Sequence, residues 1–424
     1  MAHSSEGHGR HEDGGAVVEA TTTRAPRASM RPAFVGLLGA MAALGAVTVD
    51  MYLPSLPTVA AEFGTTDAAV QLTISAVLVG AALGQLVVGP LSDRFGRRVP
   101  ALAGIALHVI SSLLGFLKPS IGVLIVLRVV QGVGTSAAMI TAMAVIRDRL
   151  TGGPAARVIS RLMLVIGVAP LLAPTVGGLI AGVAGWRAVF GALALFGVAL
   201  GVVVWRWLPE TLPPHRRTTA GVGSALRGYR TLLRDRHFVA LAVIPGLVMG
   251  ALFSYVVGSP FVLQIGYGLS EQQFALVFAL NGIALVIGSQ VNAALVHRVA
   301  PIRIVRVAIP LLLAAALTLL ALAVTGSGGV LGILAPLCVI LFLLGFVIAN
   351  AAAIAMSRHG ERAGTAAAVI GASQSGVAAL VSPLVGFLGG DAVAMALSIV
   401  FAVLAATLVL AVATPAYRRR GLLT

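Results

Sequence analysis

Long apolar runs of about twenty residues recur along almost the whole chain, separated by short polar stretches. Runs of that length match the thickness of a bilayer's hydrocarbon core when wound as helices. Twelve can be marked: 33–58, 68–91, 99–117, 120–146, 162–184, 188–208, 238–262, 272–296, 302–324, 329–356, 364–388 and 392–414. They predict an all-α membrane protein with twelve transmembrane helices in two pseudo-symmetric six-helix bundles. The organisation read from them is a disordered tail over 1–32, a first bundle over 33–208, and a basic linker over 209–237. A second bundle follows over 238–415, and a short tail over 416–424 ends the chain.

Of 424 residues 58% are hydrophobic and only 10% charged, where a soluble protein carries about 25% charged. The net charge of +15 raises the question of nucleic acid. Its placement answers it, because twenty-six of the 29 basic residues fall in every second loop or in the tails. Lys118 and Arg187 stand on the other side and Arg128 inside a span. This is the positive-inside pattern, so both termini are expected in the cytoplasm, and no nucleic-acid partner is expected. The first apolar run starts too late and runs too far for a cleaved signal peptide. The single cysteine, Cys338, excludes an internal disulfide and a cysteine-based metal site. His3, His8 and His11 lack a packed scaffold to make them metal ligands, and no metal or cofactor is expected.

The two halves repeat. A shift of 204 residues carries Gly64 onto Gly268, Gly84 onto Gly288, Leu91 onto Leu295 and Arg94 onto Arg298. A parallel repeat of this kind predicts a transport site between the halves. The chemistry is lopsided, since Asp50 maps to Ser254, Asp93 to His297 and Arg128 to Gly332. Ion coupling is therefore expected in the first half.

Asp50 lies near the far end of the first run, just before Pro54 and Pro57. An intramembrane acid costs roughly 2.5–3.5 kcal/mol on insertion scales. It is either a helix-end group among the headgroups or a proton-carrying acid facing a cavity. Arg128, in the fourth run, keeps its proton at any ordinary pH and needs an acceptor. It either acts on Asp50 or ties to main-chain carbonyls of spans 1 or 5. These two form the expected proton-coupling pair. Gln131 either orients Arg128 or binds substrate. Tyr52, Gln131, Tyr255, Asn281 and Gln374 are the expected cavity residues, with interhelical bonding as the other possibility for the last three, as for Gln264 and Asn350. His108 is read as packing before proton relay.

Gly89-Pro90-Leu91-Ser92-Asp93-Arg94-Phe95-Gly96-Arg97-Arg98 fills the loop between spans 2 and 3. Gly96 permits a tight turn, and Asp93 and Arg97 can pair four residues apart. With Asp148 they make a possible charge cluster, and Asp93 could also meet a helix start near Gly364-Thr365. Gly89, Asp93, Arg94, Gly96, Arg97 and Asp148 are the expected conformational latch. Pro170, Pro174, Gly177, Gly178 and Gly182 in span 5 allow close helix approach and are the expected seam.

The loop resembles the signature loop of the major facilitator superfamily. Leu127 to Gly134, around Arg128, resembles a second signature of its proton-linked members, and Ala169-Pro170, Pro174 and Gly177-Gly178 resemble its drug/proton antiporter motif. The run 50–57, Gly185-Trp186-Arg187 and Leu208-Pro209-Glu210-Thr211-Leu212 are similar to the bicyclomycin and chloramphenicol/florfenicol efflux subgroup. The resemblance covers about residues 33–415. It implies a monomeric exporter in the bacterial cytoplasmic membrane, exchanging phenicol- or bicyclomycin-like amphiphiles for protons by alternating access. Proton-coupled uptake or export of a metabolite is the alternative. An intramembrane enzyme or a receptor is disfavoured: no Walker sequence is present, and Gly371-Ala372-Ser373-Gln374-Ser375-Gly376 has no partner histidine in a neighbouring span.

Overall fold

A computed structural model describes residues 30–117, 119–218, 222–357 and 363–413. The three tail histidines, Lys118, Arg358, Arg362 and the C-terminal arginines lie outside them. Every regular element among the described residues is helical. Twelve helices are long and apolar enough to cross a membrane. They are span 1 (Pro32–Phe63), span 2 (Asp67–Phe95), span 3 (Arg98–Phe116), span 4 (Ile121–Arg149), span 5 (Gly152–Ala184) and span 6 (Trp186–Trp207). The second six are span 7 (Arg236–Gly266), span 8 (Glu271–Leu295), span 9 (Pro301–Thr325), span 10 (Gly329–Met356), span 11 (Gly364–Phe387) and span 12 (Ala392–Val412).

Several boundaries differ from the sequence expectation. Span 5 starts at Gly152, ten residues before the apolar run, so Arg157 and Arg161 lie on a helix and not in a loop. Arg147 and Arg149 likewise form the last turn of span 4. Apolarity marks where lipid begins, while helical hydrogen bonding continues into the interface. The linker contains a further helix, Val222–Arg234, with a strongly one-sided apolar face that the basic composition concealed.

Pairings within the halves repeat under a shift of six spans. Span 1 packs on 4 and 5, span 2 on 4, and span 3 on 4 and 6; spans 7, 8 and 9 repeat each of these with 10, 11 and 12. Glycines set the closest of these approaches. A Cβ at Gly80 would collide with the Val129 carbonyl, and one at Gly288 with the Phe342 carbonyl in the matching pair. The halves meet along two seams, span 2 with span 11 and span 5 with span 8.

Candidate functional site

Span 1 is broken where its prolines predict. Its first helix ends at Asp50, a single 3-10 turn covers Leu53–Ser55, and a second helix runs over Leu56–Phe63. Pro54 has no N–H for the Asp50 carbonyl and Pro57 none for that of Leu53, so the α-helix cannot continue. The Tyr52 N–H tightens onto the Val49 carbonyl, 3.2 Å away, and leaves the Thr48 carbonyl free.

Arg128 takes that carbonyl. Fully buried, it donates from Nη1 to Thr48 O at 3.2 Å and to Gln131 Oε1 at 2.8 Å. Its Nε and Nη2 meet no hydrogen-bond acceptor. The guanidinium lies 4.5 Å from the Tyr52 ring centroid and 5.3 Å from that of Phe190, a desolvated cation–π setting. Gln131 passes the tether on, donating to Ser112 Oγ at 2.7 Å. Gln131 and Tyr52 are thus engaged by the arginine.

Asp50 is 6% exposed. Among the described residues no ion pair joins it to Arg128 or to any other base. It lies within electrostatic reach of the Tyr255 hydroxyl in span 7. There the Asn281 amide donates to Tyr255 Oη at 3.3 Å, and the Cys338 thiol donates to Asn281 Oδ1 at 2.8 Å. Tyr255 stacks on Phe278 with ring centroids 5.3 Å apart. The acid of the first half and an aromatic and amide cluster of the second thus lie within electrostatic reach of one another. Gln374 stands apart, half-buried on span 11 between seam residues. Gln264 and Asn350 make interhelical bonds, to the Pro54 carbonyl at 3.0 Å and to Asn292 at 2.6 Å. His108 is wholly buried, with Nε2 3.3 Å from the Leu193 carbonyl.

The loop between spans 2 and 3 is built around Arg97. It binds Asp93 at 2.6 Å, Ser92 at 3.0 Å, and Asp148 through Nε at 2.8 Å and Nη2 at 3.2 Å. Asp93 is half-exposed and pairs with Arg97 of its own half; Gly228 of the linker helix packs against Thr365. Arg94 is exposed and lies over Phe95. No atom stands within 4 Å of where a Gly89 side chain would begin.

Sequence reasoning gave no role to Glu210 and Thr211. Thr211 donates to Asp148 at 2.8 Å. Glu210 accepts from the main-chain N–H of Arg97 at 2.8 Å and of Arg98 at 3.3 Å. It thereby caps the start of span 3, where no side chain of the loop does so. Burial alone would raise its carboxyl; donation from Arg97, Leu212 and Arg98, with the Arg217 guanidinium nearby, holds it below the ordinary carboxylate range. Gly96, at φ +89°, leaves the space that the Glu210 carboxylate fills. A glutamate just past a span, facing a loop with spare N–H groups, was the available signal.

Pro90 has a matching use. It removes the N–H that would pair with the Leu86 carbonyl. Tyr229 of the linker helix donates there instead, at 2.7 Å.

The span 5 residues divide. A Cβ at Gly177 would collide with the Met51 carbonyl, so this glycine packs span 5 on span 1 inside the first half and not across the seam. Gly178 and Gly182 face Glu271 and Gln272 of span 8 and do lie on it. Pro174 is buried and Pro170 half-buried. Gly371 and Ser375 belong to the other seam, where Gln85 donates to Ser375 at 3.1 Å. Ser75 and Ser382 meet along it at 3.2 Å. At the arginine-poor end, Thr58 donates to Glu271 at 3.3 Å across the halves, and Glu62 binds Arg187 at 2.7 Å and the Trp186 indole.

The family described as Major Facilitator Superfamily matches residues 37–383. An uncharacterized MFS-type transporter, YdgK of Bacillus subtilis, is 36% identical over 375 residues, covering 87% of this chain and 92% of that protein. A bicyclomycin resistance protein homolog of Haemophilus influenzae is 29% identical over 85% of this chain and 90% of its own. A chloramphenicol resistance protein of Pseudomonas aeruginosa is 30% identical over 76% and 75%. Among solved structures, the partially occluded inward-open xylose transporter XylE of E. coli superposes with a TM-score of 0.68 at 14% identity, covering 91% of this chain and 98% of that one. The nucleoside transporter NupG superposes at 0.72 and 10%, covering 90% and 98%. A glycine-turned, arginine-centred loop, a six-span pairing used twice and these likenesses converge: the chain is a multi-pass membrane protein of the major facilitator superfamily.

Proposed function

We propose that the protein exports amphipathic, drug-like molecules in exchange for protons. One observation carries this reading: Asp50 is a buried acid at a helix break with no ion-pair partner among the described residues, while the buried Arg128 beside it in span 4 is spent on a carbonyl. A carboxyl without a fixed counter-ion can gain and lose a proton as its surroundings change. Resistance to bicyclomycin and chloramphenicol, named for the relatives, supports phenicol- or bicyclomycin-like compounds as the substrate class. The arginine-rich ends of the spans, with both termini, face the cytoplasm under the positive-inside rule.

In the cycle, deprotonated Asp50 accompanies substrate entering from the cytoplasm, and protonation from outside favours its release there. The Arg97 network steadies one end while the halves rock, and a single chain suffices. Purified protein in vesicles tests this. An inwardly directed proton gradient across right-side-out vesicles is expected to drive chloramphenicol or bicyclomycin outward, and a protonophore to abolish the movement. No gradient-driven movement of either compound would overturn the reading.

A further inference from the structure

A cleft lies at the arginine-rich end, away from Asp50. It occupies about 410 Å³ between the start of span 1, the end of span 4 and the end of span 6. Its walls are Phe34, Leu150, Trp207 and Pro209, and Arg31 and Arg149 stand at its mouth. Both arginines are exposed, and among the described residues no carboxylate pairs with either.

The remaining chemistry favours an anion with an apolar body. Arg149 lies 5.4 Å from the Phe34 ring centroid, which holds its guanidinium at the rim. Span 1 begins there with Pro32 and no side-chain cap, so its positive end opens on the same space. Trp207 is 63% exposed at the end of a span, the depth at which indoles settle among headgroups. A charged arginine pair beside apolar walls at that depth fits a phosphodiester whose chains enter the bilayer.

The cleft also adjoins the loop network. Arg149 directly follows Asp148, which binds Arg97, and Pro209 directly precedes Glu210, which caps span 3. The cleft therefore borders two of the several attachments of Arg97. We propose that this cleft binds the headgroup of an anionic phospholipid between Arg31 and Arg149.

The test is native mass spectrometry on the full-length protein, offered phosphatidylglycerol or phosphatidylcholine of matched chains. Wild type is expected to retain phosphatidylglycerol preferentially. Removing both guanidiniums with Arg31→Gln and Arg149→Gln is expected to lower that retention roughly tenfold or more. Arg157→Gln with Arg161→Gln removes as much charge from span 5, outside the cleft, and is expected to leave retention unchanged. Should the cleft variant fail to fold, wild type alone still decides, because its preference must weaken as salt is raised. Equal retention of the two lipids, equal losses in both variants, or a salt-independent preference would overturn the proposal. Displacement of the lipid by millimolar inorganic phosphate would identify a free-anion site and overturn it too. Retention is read without transport, so failure of the export reading leaves this result standing.

Discussion

Arg128 donates to the Thr48 carbonyl, 3.2 Å away, two residues short of Asp50. The proline break that frees this carbonyl also ends the helix at Asp50, so one local irregularity holds the arginine and isolates the acid. Asp50→Asn is therefore expected to leave thermal stability in detergent nearly unchanged while abolishing proton-driven export. Substrate binding measured from about pH 5 to 9 is expected to depend on pH in wild type and not in the variant. Identical titrations in both would move the coupling acid elsewhere.

Arg128→Lys keeps the charge but loses the stacking on Tyr52 and Phe190 and the reach by which Nη1 meets both Thr48 and Gln131. The expected cost is about 1–3 kcal/mol, the usual penalty for leaving a buried polar group unpaired. Chemical denaturation in detergent measures it; a wild-type midpoint would show that the tether carries little.

Gly177→Ala and Gly178→Ala form a contrast between neighbours. The first methyl would strike the Met51 carbonyl, whereas the second meets nothing closer than 3.7 Å. Gly177→Ala is expected to lower both melting temperature and transport, and Gly178→Ala to preserve both. Gly178→Leu is expected to stop transport by wedging spans 5 and 8 apart. Transport and melting assays on the three variants decide it.

Glu210 carries a pH signature. Because its carboxyl is held below the ordinary range, its contribution to stability is complete above that range and lost as pH falls through the depressed value. Melting temperatures followed downward from about pH 6 are expected to show an acid-side loss in wild type that shrinks in Glu210→Gln. At neutral pH the variant is expected to be the less stable, having given up a charged cap.

Tyr229→Phe is expected to cost about 1 kcal/mol by removing the bond to Leu86. Pro90→Ala restores the helix's own donor to that carbonyl. In a double-mutant cycle the tyrosine substitution is then expected to lose most of its effect. Additive losses would mean that the phenol and the proline act separately.

Much of this was legible in the chain. Twelve apolar runs and a shift of 204 residues describe a doubled bundle because span length and repeat pairing are set locally. Pro54 and Pro57 located the break in span 1, since a missing N–H acts where it stands. Partner choice was not legible. Asp50 and Arg128 read as a pair because both are costly in lipid, with a tie to main-chain carbonyls of span 1 or 5 as the alternative, and it is a span 1 carbonyl, freed by a change in hydrogen-bond register, that took the arginine. Glu210 lies 113 residues from the N–H of Arg97 that it accepts, and no spacing rule links them. Gly177 and Gly178 looked alike in sequence, but adjacent helical positions point about 100° apart and so face different spans.

The two seams between the halves occupy equivalent places in the repeat and are built differently. Span 2 is stitched to span 11 by Ser75 with Ser382 and Gln85 with Ser375, whereas among the described residues no side-chain hydrogen bond joins span 5 to span 8. Equal gaping on both sides would break two polar bonds along the first, and on the second only the Thr58–Glu271 bond at its arginine-poor end. The cheaper motion pivots about the stitched pair, as a door swings on its jamb, and parts the glycine-lined edge. A substrate of this protein is thus expected to leave past Gly178 and Gly182, so the free edge and not the hinge governs how large a molecule can be released.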